Sequence, residues 1–227
     1  MATTSTAPTR TRDEVVPLLR GLLHAYAFCA ALVAAPLLVM LAPTSAARTS
    51  AVIYGTALCA LFAISALYHR WRWDPRWRPL LRRLDHSTIY IFIAASATPL
   101  ALLILSGTLQ TVVLISAWLG ALGGIAMTLA WIDAPRALVA LSYVLLGSAA
   151  VAGAPQIIAR LPLAPLLLLA AGALLYMTGA AVYATRRPDP WPAIFGFHEI
   201  FHGLVLAAAA THFATMIGWV ITGAPAG

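Results

Sequence analysis

From His86 to Ile132 the chain runs 47 residues without an aspartate, glutamate, lysine or arginine. As one helix at 1.5 Å per residue, that run would be roughly 70 Å long, more than twice the ~30 Å hydrocarbon core of a bilayer. It must therefore fold back on itself, and both halves must suit an apolar solvent. The natural break is Ser106-Gly107-Thr108-Leu109-Gln110, the polar, glycine-containing cluster near its middle.

The same pattern recurs along the chain. Gly21 to Ala47, Thr49 to His69, Ala137 to Ala159, Leu161 to Thr185 and Ile200 to the C-terminus are also free of charge. Runs of this length read as membrane helices. They predict an all-α, polytopic membrane protein, a seven-transmembrane-helix bundle with spans at about 21–42, 49–69, 84–105, 110–131, 136–154, 161–184 and 197–221. Residues 1–20 read as a short cytoplasmic N-terminal tail, disordered over its first dozen Thr-, Ser- and Ala-rich positions, and 21–227 as one transmembrane domain. Thr44-Ser45-Ala46-Ala47 resembles a signal-cleavage site, but the preceding run is longer than a signal h-region and follows Asp13 and Glu14. Charged residues make up 9% of the chain, against about 25% in soluble domains. That excludes a water-soluble enzyme, a nucleic-acid binder and a disordered regulator.

The few charges carry the orientation. All fourteen basic residues are arginine. With the N-terminus inside, the cytoplasmic segments hold Arg10, Arg12, Arg20, Arg70, Arg72, Arg76, Arg78, Arg82, Arg83, Arg136, Arg186 and Arg187, and the other side holds only Arg48 and Arg160. This asymmetry places the N-terminus in the cytoplasm and the C-terminus outside. The segment Arg70-Trp71-Arg72-Trp73-Asp74-Pro75-Arg76-Trp77-Arg78 then reads as an interface belt against anionic membrane lipids rather than a nucleic-acid patch. Cys29 and Cys59 fall within spans and imply packing, not a disulfide framework.

Ionisable groups inside a membrane are costly and need a reason. Given the spans and their direction, His69 ends the second span, Asp85 begins the third, and His198 and His202 begin the seventh, all at the cytoplasmic end. Ser65 and His69 are spaced i, i+4, as are His198 and His202, so each pair lies on one helical face. Three neutral imidazoles with an open position suit a catalytic zinc, and Asp85 could act as base or orient a water. The plain alternative is interhelical hydrogen bonding. His198-Glu199-Ile200-Phe201-His202 also fits H-E-x-x-H, the pattern of zinc proteases with Glu as base, so an intramembrane metalloprotease stays open. Glu199 projects about 100° from His198, and capping the helix or facing the basic surface is its other reading. His86 should point away from Asp85 and bond between helices. His24 reads as a supporting or interfacial group. His212, about 15 Å beyond His202, is too far to share its metal. Ser87, Thr88 and Tyr90 are equally site neighbours or packing groups.

Ser65-Ala66-Leu67-Tyr68-His69, Leu84-Asp85-His86-Ser87-Thr88-Ile89-Tyr90, Thr98-Pro99 and Phe195-Gly196-Phe197-His198-Glu199-Ile200-Phe201-His202, in that order, resemble the hemolysin III family. This is the bacterial branch of the progestin and adipoQ receptor family, within a superfamily of membrane hydrolases related to alkaline ceramidases. The resemblance covers Leu19 to Trp219. It implies seven helices with a cytoplasmic N-terminus in the bacterial inner membrane. It further implies zinc held by His69, His198 and His202, with Ser65 and Asp85 beside it and a water between metal and carboxylate.

Three functions follow as expectations. The first is a zinc-dependent hydrolase of a lipid amide or ester near the cytoplasmic leaflet, with Asp85 taking the proton of water and Ser65 bonding substrate or intermediate. The second is a hemolysin, cytolysin or channel-like protein with a structural zinc. The third is a receptor by analogy with eukaryotic relatives, which fold likeness alone supports weakly. A retinal protein is excluded, because it needs a Schiff-base lysine and the chain has none.

Overall fold

The computed structural model describes residues 17–223. The expected N-terminal tail, with Asp13 and Glu14, therefore lies mostly outside the described residues. Helices α1 (Leu22–Leu41), α2 (Ser45–Arg70), α3 (Arg78–Leu103), α4 (Thr108–Ala130), α5 (Arg136–Ser148), α6 (Ala154–Arg160), α7 (Leu163–Thr185) and α8 (Phe197–Thr215) follow in order. A 3-10 segment, Ala149–Gly153, joins α5 to α6, and a π-helical turn, Met216–Val220, extends α8. Among the described residues, seven helical stretches are long and apolar enough to cross a membrane, α5 to α6 counting as one, Arg136–Arg160. No named strand occurs among the described residues. The seven-span, all-α expectation holds.

The boundaries that differ have local causes. The second helix begins at Ser45, not 49, because the Thr44 hydroxyl accepts the Ala47 N–H at 3.1 Å and caps it. The third begins at Arg78, not 84, with proline in its first turn. Hydropathy marks where a helix enters apolar solvent, not where it starts, so the arginine-bearing turns of α3 were invisible to it. The fifth span continues to Arg160 instead of ending near 154, where Pro155 opens α6. The long charge-free run does break where expected, between Leu103 and Thr108, with Gly107 at φ 63.

The two arginine groups sit at opposite ends of the spans. At one end Arg82 pairs with Asp133 at 2.7 Å, and Arg76 lies 5.5 Å from the Trp77 ring. At the other, Arg160 donates to the Ile104 carbonyl and, at 2.9 Å, to Ser106 Oγ.

α2 and α3 form the interior, with 56% and 61% of their spans buried, against 17–28% in the other five. The outer helices expose large apolar side chains such as Val33, Leu119, Leu145 and Leu174, as suits a lipid-facing surface. Cys29 is exposed and Cys59 half-buried, both free. Inside, small residues let helices approach closely, as in membrane bundles generally. A Cβ on Gly124 of α4 would lie 2.1 Å from Tyr90 Cε1 of α3. Gly124→Leu should therefore overpack the α3–α4 contact and cost about 1–3 kcal/mol. Thermal or denaturant unfolding in detergent measures this, and an unchanged midpoint would count against this contact as a rigid one.

Candidate metal centre

The two innermost helices and α8 deliver the site. Ser65 and His69 come from the last turns of α2, Asp85 from the second turn of α3, and His198 and His202 from the first turns of α8. Local structure fixes where α8 starts. Asp189 Oδ1 accepts the Phe197 N–H at 3.0 Å, and Glu199 Oε2 accepts the Gly196 N–H at 2.8 Å. The chain entering α1 also approaches closely. Gly21 sits at φ 73, and a Cβ there would lie 2.7 Å from His69 Cβ, so glycine is required both for conformation and for space.

His69 Nε2 and His198 Nε2 face each other at 3.2 Å. The ligand-capable nitrogens of His69, His198 and His202 all lie within 4.8 Å of one another, so this group could hold a metal ion. The donor set fits one. A tetrahedron with 2.0–2.1 Å metal–nitrogen bonds has edges of roughly 3.3 Å, close to the His69–His198 separation. Asp85 Oδ2 lies 3.6 Å from His69 Nε2 and 3.8 Å from His86 Nδ1. Asp85 is buried, and Thr88 Oγ1 donates to its backbone carbonyl at 2.7 Å. All five residues singled out from the sequence, Ser65, His69, Asp85, His198 and His202, therefore converge.

Two residues are closer to this group than the sequence indicated. His24, read as a supporting or interfacial group, is buried at 3% exposure. Its ring stacks on His202 with centroids 3.9 Å apart and planes within 2°, and its Nδ1 shares a 2.8 Å hydrogen bond with Ser65 Oγ. Ser65, expected to face a substrate, is thus tied to His24. The signal available was depth alone, since His24 opens α1 at the same end. His86 makes the expected interhelical bond, Nε2 to Tyr183 hydroxyl at 3.3 Å, but it also stays beside Asp85. Tyr183 itself was missed. Tyr90 turns out to pack away from the site, its hydroxyl bonded to Ser142 at 2.7 Å.

Glu199 is engaged elsewhere. Arg20 Nε donates to its Oε1 at 2.6 Å, while Oε2 caps α8, and the side chain is only 2% exposed. Both oxygens of the H-E-x-x-H glutamate are occupied, so the arrangement that a protease base requires is not built here. Arg20→Ala would strand a buried carboxylate and should cost about 3 kcal/mol. Unfolding beside Glu199→Gln tests this, the glutamine variant being expected to lose less. Equal losses would show that the charge of Glu199 is not what Arg20 compensates.

The histidine group opens on an apolar cavity of about 310 Å³ between α3, α5, α7 and α8. His24, Ser65, Asp85, His198 and His202 line one end of it, and His212 lines it too, one run of α8 away.

A family model described as haemolysin-III related matches residues 14–213. The chain is 30% identical over 169 residues to a "Hemolysin-3 homolog" of Bacillus subtilis, covering 74% of this chain and 76% of that one. It is 29% identical to "Hemolysin-3" of Bacillus cereus, covering 78% of each. It is also 29% identical over 197 residues to the human "Monocyte to macrophage differentiation factor", covering 84% and 78%.

Proposed function

The chain belongs to the haemolysin-III-related family of multi-pass membrane proteins, and from that premise we propose that it is a zinc-dependent hydrolase of a lipid amide or ester. The observation that carries this reading is the convergence of three imidazoles, with Asp85 3.6 Å from one of them, His69, at the end of an apolar cavity. A purely structural metal would need neither a buried carboxylate beside it nor a chain-sized cavity opening on it.

His69, His198 and His202 would hold the metal. Zinc, when bound in such a set, polarises a carbonyl and brings the pKa of water toward ~7. The chain's own residues supply the rest. Asp85 Oδ2, facing the histidine group, accepts a proton from the attacking water and returns it to the departing amine or alcohol. With His24 carrying its proton on Nδ1 and donating to Ser65 Oγ, the Ser65 hydroxyl keeps its own proton for a hydrogen bond toward the reacting carbonyl. The apolar cavity walls take the acyl chain and keep bulk water from it.

The arginine distribution supports a cytoplasmic orientation for this end of the bundle, which sets the scissile bond near the headgroups of the cytoplasmic leaflet of the inner membrane. Alkaline phosphatase fused after the C-terminus should then be active, and an inactive fusion would reverse the orientation.

Two measurements test the function: metal analysis of the purified protein, and a screen of fluorogenic N-acyl amides and acyl esters with and without chelator. Zinc together with chelator-sensitive hydrolysis is expected. Absence of zinc, or hydrolysis indifferent to its removal, would sink the reading. The names of the bacterial relatives keep a lytic or channel role in view. Zinc-independent conductance in liposomes, without hydrolysis, would favour that alternative.

A further inference from the structure

The histidine group accounts for one end of the cavity, and the far end carries polar groups for which the proposed chemistry has no use. Tyr176 on α7 and His212 on α8 both line the cavity. Their rings meet edge to face, with centroids 5.4 Å apart. Among the described residues, Tyr176 Oη and His212 Nε2 are buried without a hydrogen-bond partner. The imidazole is seated against α7 by the edge that carries this nitrogen, since a Cβ on Gly172 would lie 2.4 Å from His212 Cδ2 and 2.6 Å from Nε2. Next to it, Tyr54 of α2 stacks on Phe213, and its hydroxyl is also buried with no hydrogen-bond partner among the described residues. The rest of the lining is mostly apolar, with Ile89, Ile93, Leu100, Met177 and Val205 among it, and the hydroxyls of Ser96 and Ser148 are satisfied by carbonyls of their own helices.

Polar side chains clustered at mid-depth in a membrane bundle are unfavourable unless something bonds to them. Packing alone would be served better by phenylalanine and leucine. The spacing indicates what the partner is. His212 lies ten residues beyond His202 on α8, or ~15 Å along the helix. An extended hydrocarbon chain advances about 1.3 Å per carbon, given C–C bonds of ~1.5 Å. A lipid whose reacting carbonyl sits at the histidine group reaches Tyr176 and His212 after roughly a dozen carbons.

We propose that Tyr176 and His212 form a subsite for a hydrogen-bonding substituent, a hydroxyl or a carbonyl, on the acyl chain of the bound lipid. The proposal rests on the hydrolase reading, in which an acyl chain fills the cavity, and adds selectivity for chains oxygenated in their distal half.

Binding of two fatty acids to the full-length, metal-replete protein in nanodiscs tests it: octadecanoate, and octadecanoate bearing a hydroxyl on its twelfth carbon, each displacing a fluorescent fatty acid. The hydroxylated acid is expected to bind about tenfold tighter, the worth of one buried neutral hydrogen bond. Tyr176→Phe should bring the two to parity while octadecanoate binding stays unchanged, which also shows that the variant is folded. Equal affinities in the wild-type protein would overturn the subsite and leave the chain-binding cavity, and so the hydrolase reading, standing. A preference that survives in both Tyr176→Phe and His212→Leu would overturn it as well. Failure of both acids to displace the probe would remove the chain-filled cavity and both proposals with it.

Discussion

His198→Ala is expected to empty the metal site. The wild-type protein should carry close to one zinc per chain, and the variant almost none after dialysis. The reason lies in the donor count. His69 and His198 present the closest nitrogen pair, at 3.2 Å, and removing one leaves His69 and His202 with only Asp85 to complete the set. Removing a mere supporting partner weakens metal sites by 10–100-fold, and removing a ligand should exceed that. Because a metal that binds only the folded chain stabilises it by mass action, the wild-type melting temperature should also fall on chelation, whereas the variant should barely respond. His212→Leu is the matched control. It removes an imidazole from the same helix and the same cavity but ~15 Å from the group, so zinc should remain. Full zinc occupancy in His198→Ala would refute the assignment, and loss in both variants would point to general damage to α8.

The contrast between these histidines shows which parts of the site were legible beforehand. Counting spans assigns His69, Asp85, His198 and His202 to one layer, because each opens or closes an apolar span whose direction the alternation of spans dictates. The i, i+4 spacing then fixed two faces. For His24 the span count gives depth and nothing more. It stands alone on α1, and its partners Ser65 and His202 are reached only through packing, which no local period encodes. For Glu199 the capping role is legible from its place at the head of α8, but its partner is hidden for the same reason, since Arg20 lies 179 positions away. The early start of α3 escaped for a different one: its arginine-bearing turns are helical but project beyond the apolar layer that hydropathy detects. Local pattern thus specified depth and face, while the partners that neutralise and orient buried groups depended on how α1 docks against α2 and α8.

Asp85→Asn should separate metal binding from turnover. The substitution keeps the side chain's shape in a buried position. The hydrogen bond that holds the turn is made by the backbone carbonyl of Asp85, with Thr88, and is retained. None of the three imidazoles is touched, so zinc content should stay near that of the wild type. What disappears is the carboxylate facing the histidine group at 3.6 Å, the only acidic side chain among the described residues that lines the cavity. If Asp85 moves the proton of the attacking water, hydrolysis of the best amide or ester substrate should fall by about 10²–10⁴-fold, the range removed with a general base. The loss should appear in kcat rather than KM, because the acyl chain still has its cavity. Glu199→Gln makes the opposing test: its carboxylate is committed to Arg20 and the α8 cap, so turnover per zinc-loaded molecule should hold even as stability falls. A chain in which Glu199→Gln abolished turnover and Asp85→Asn did not would be a metalloprotease-like enzyme, with the base on α8 rather than on α3.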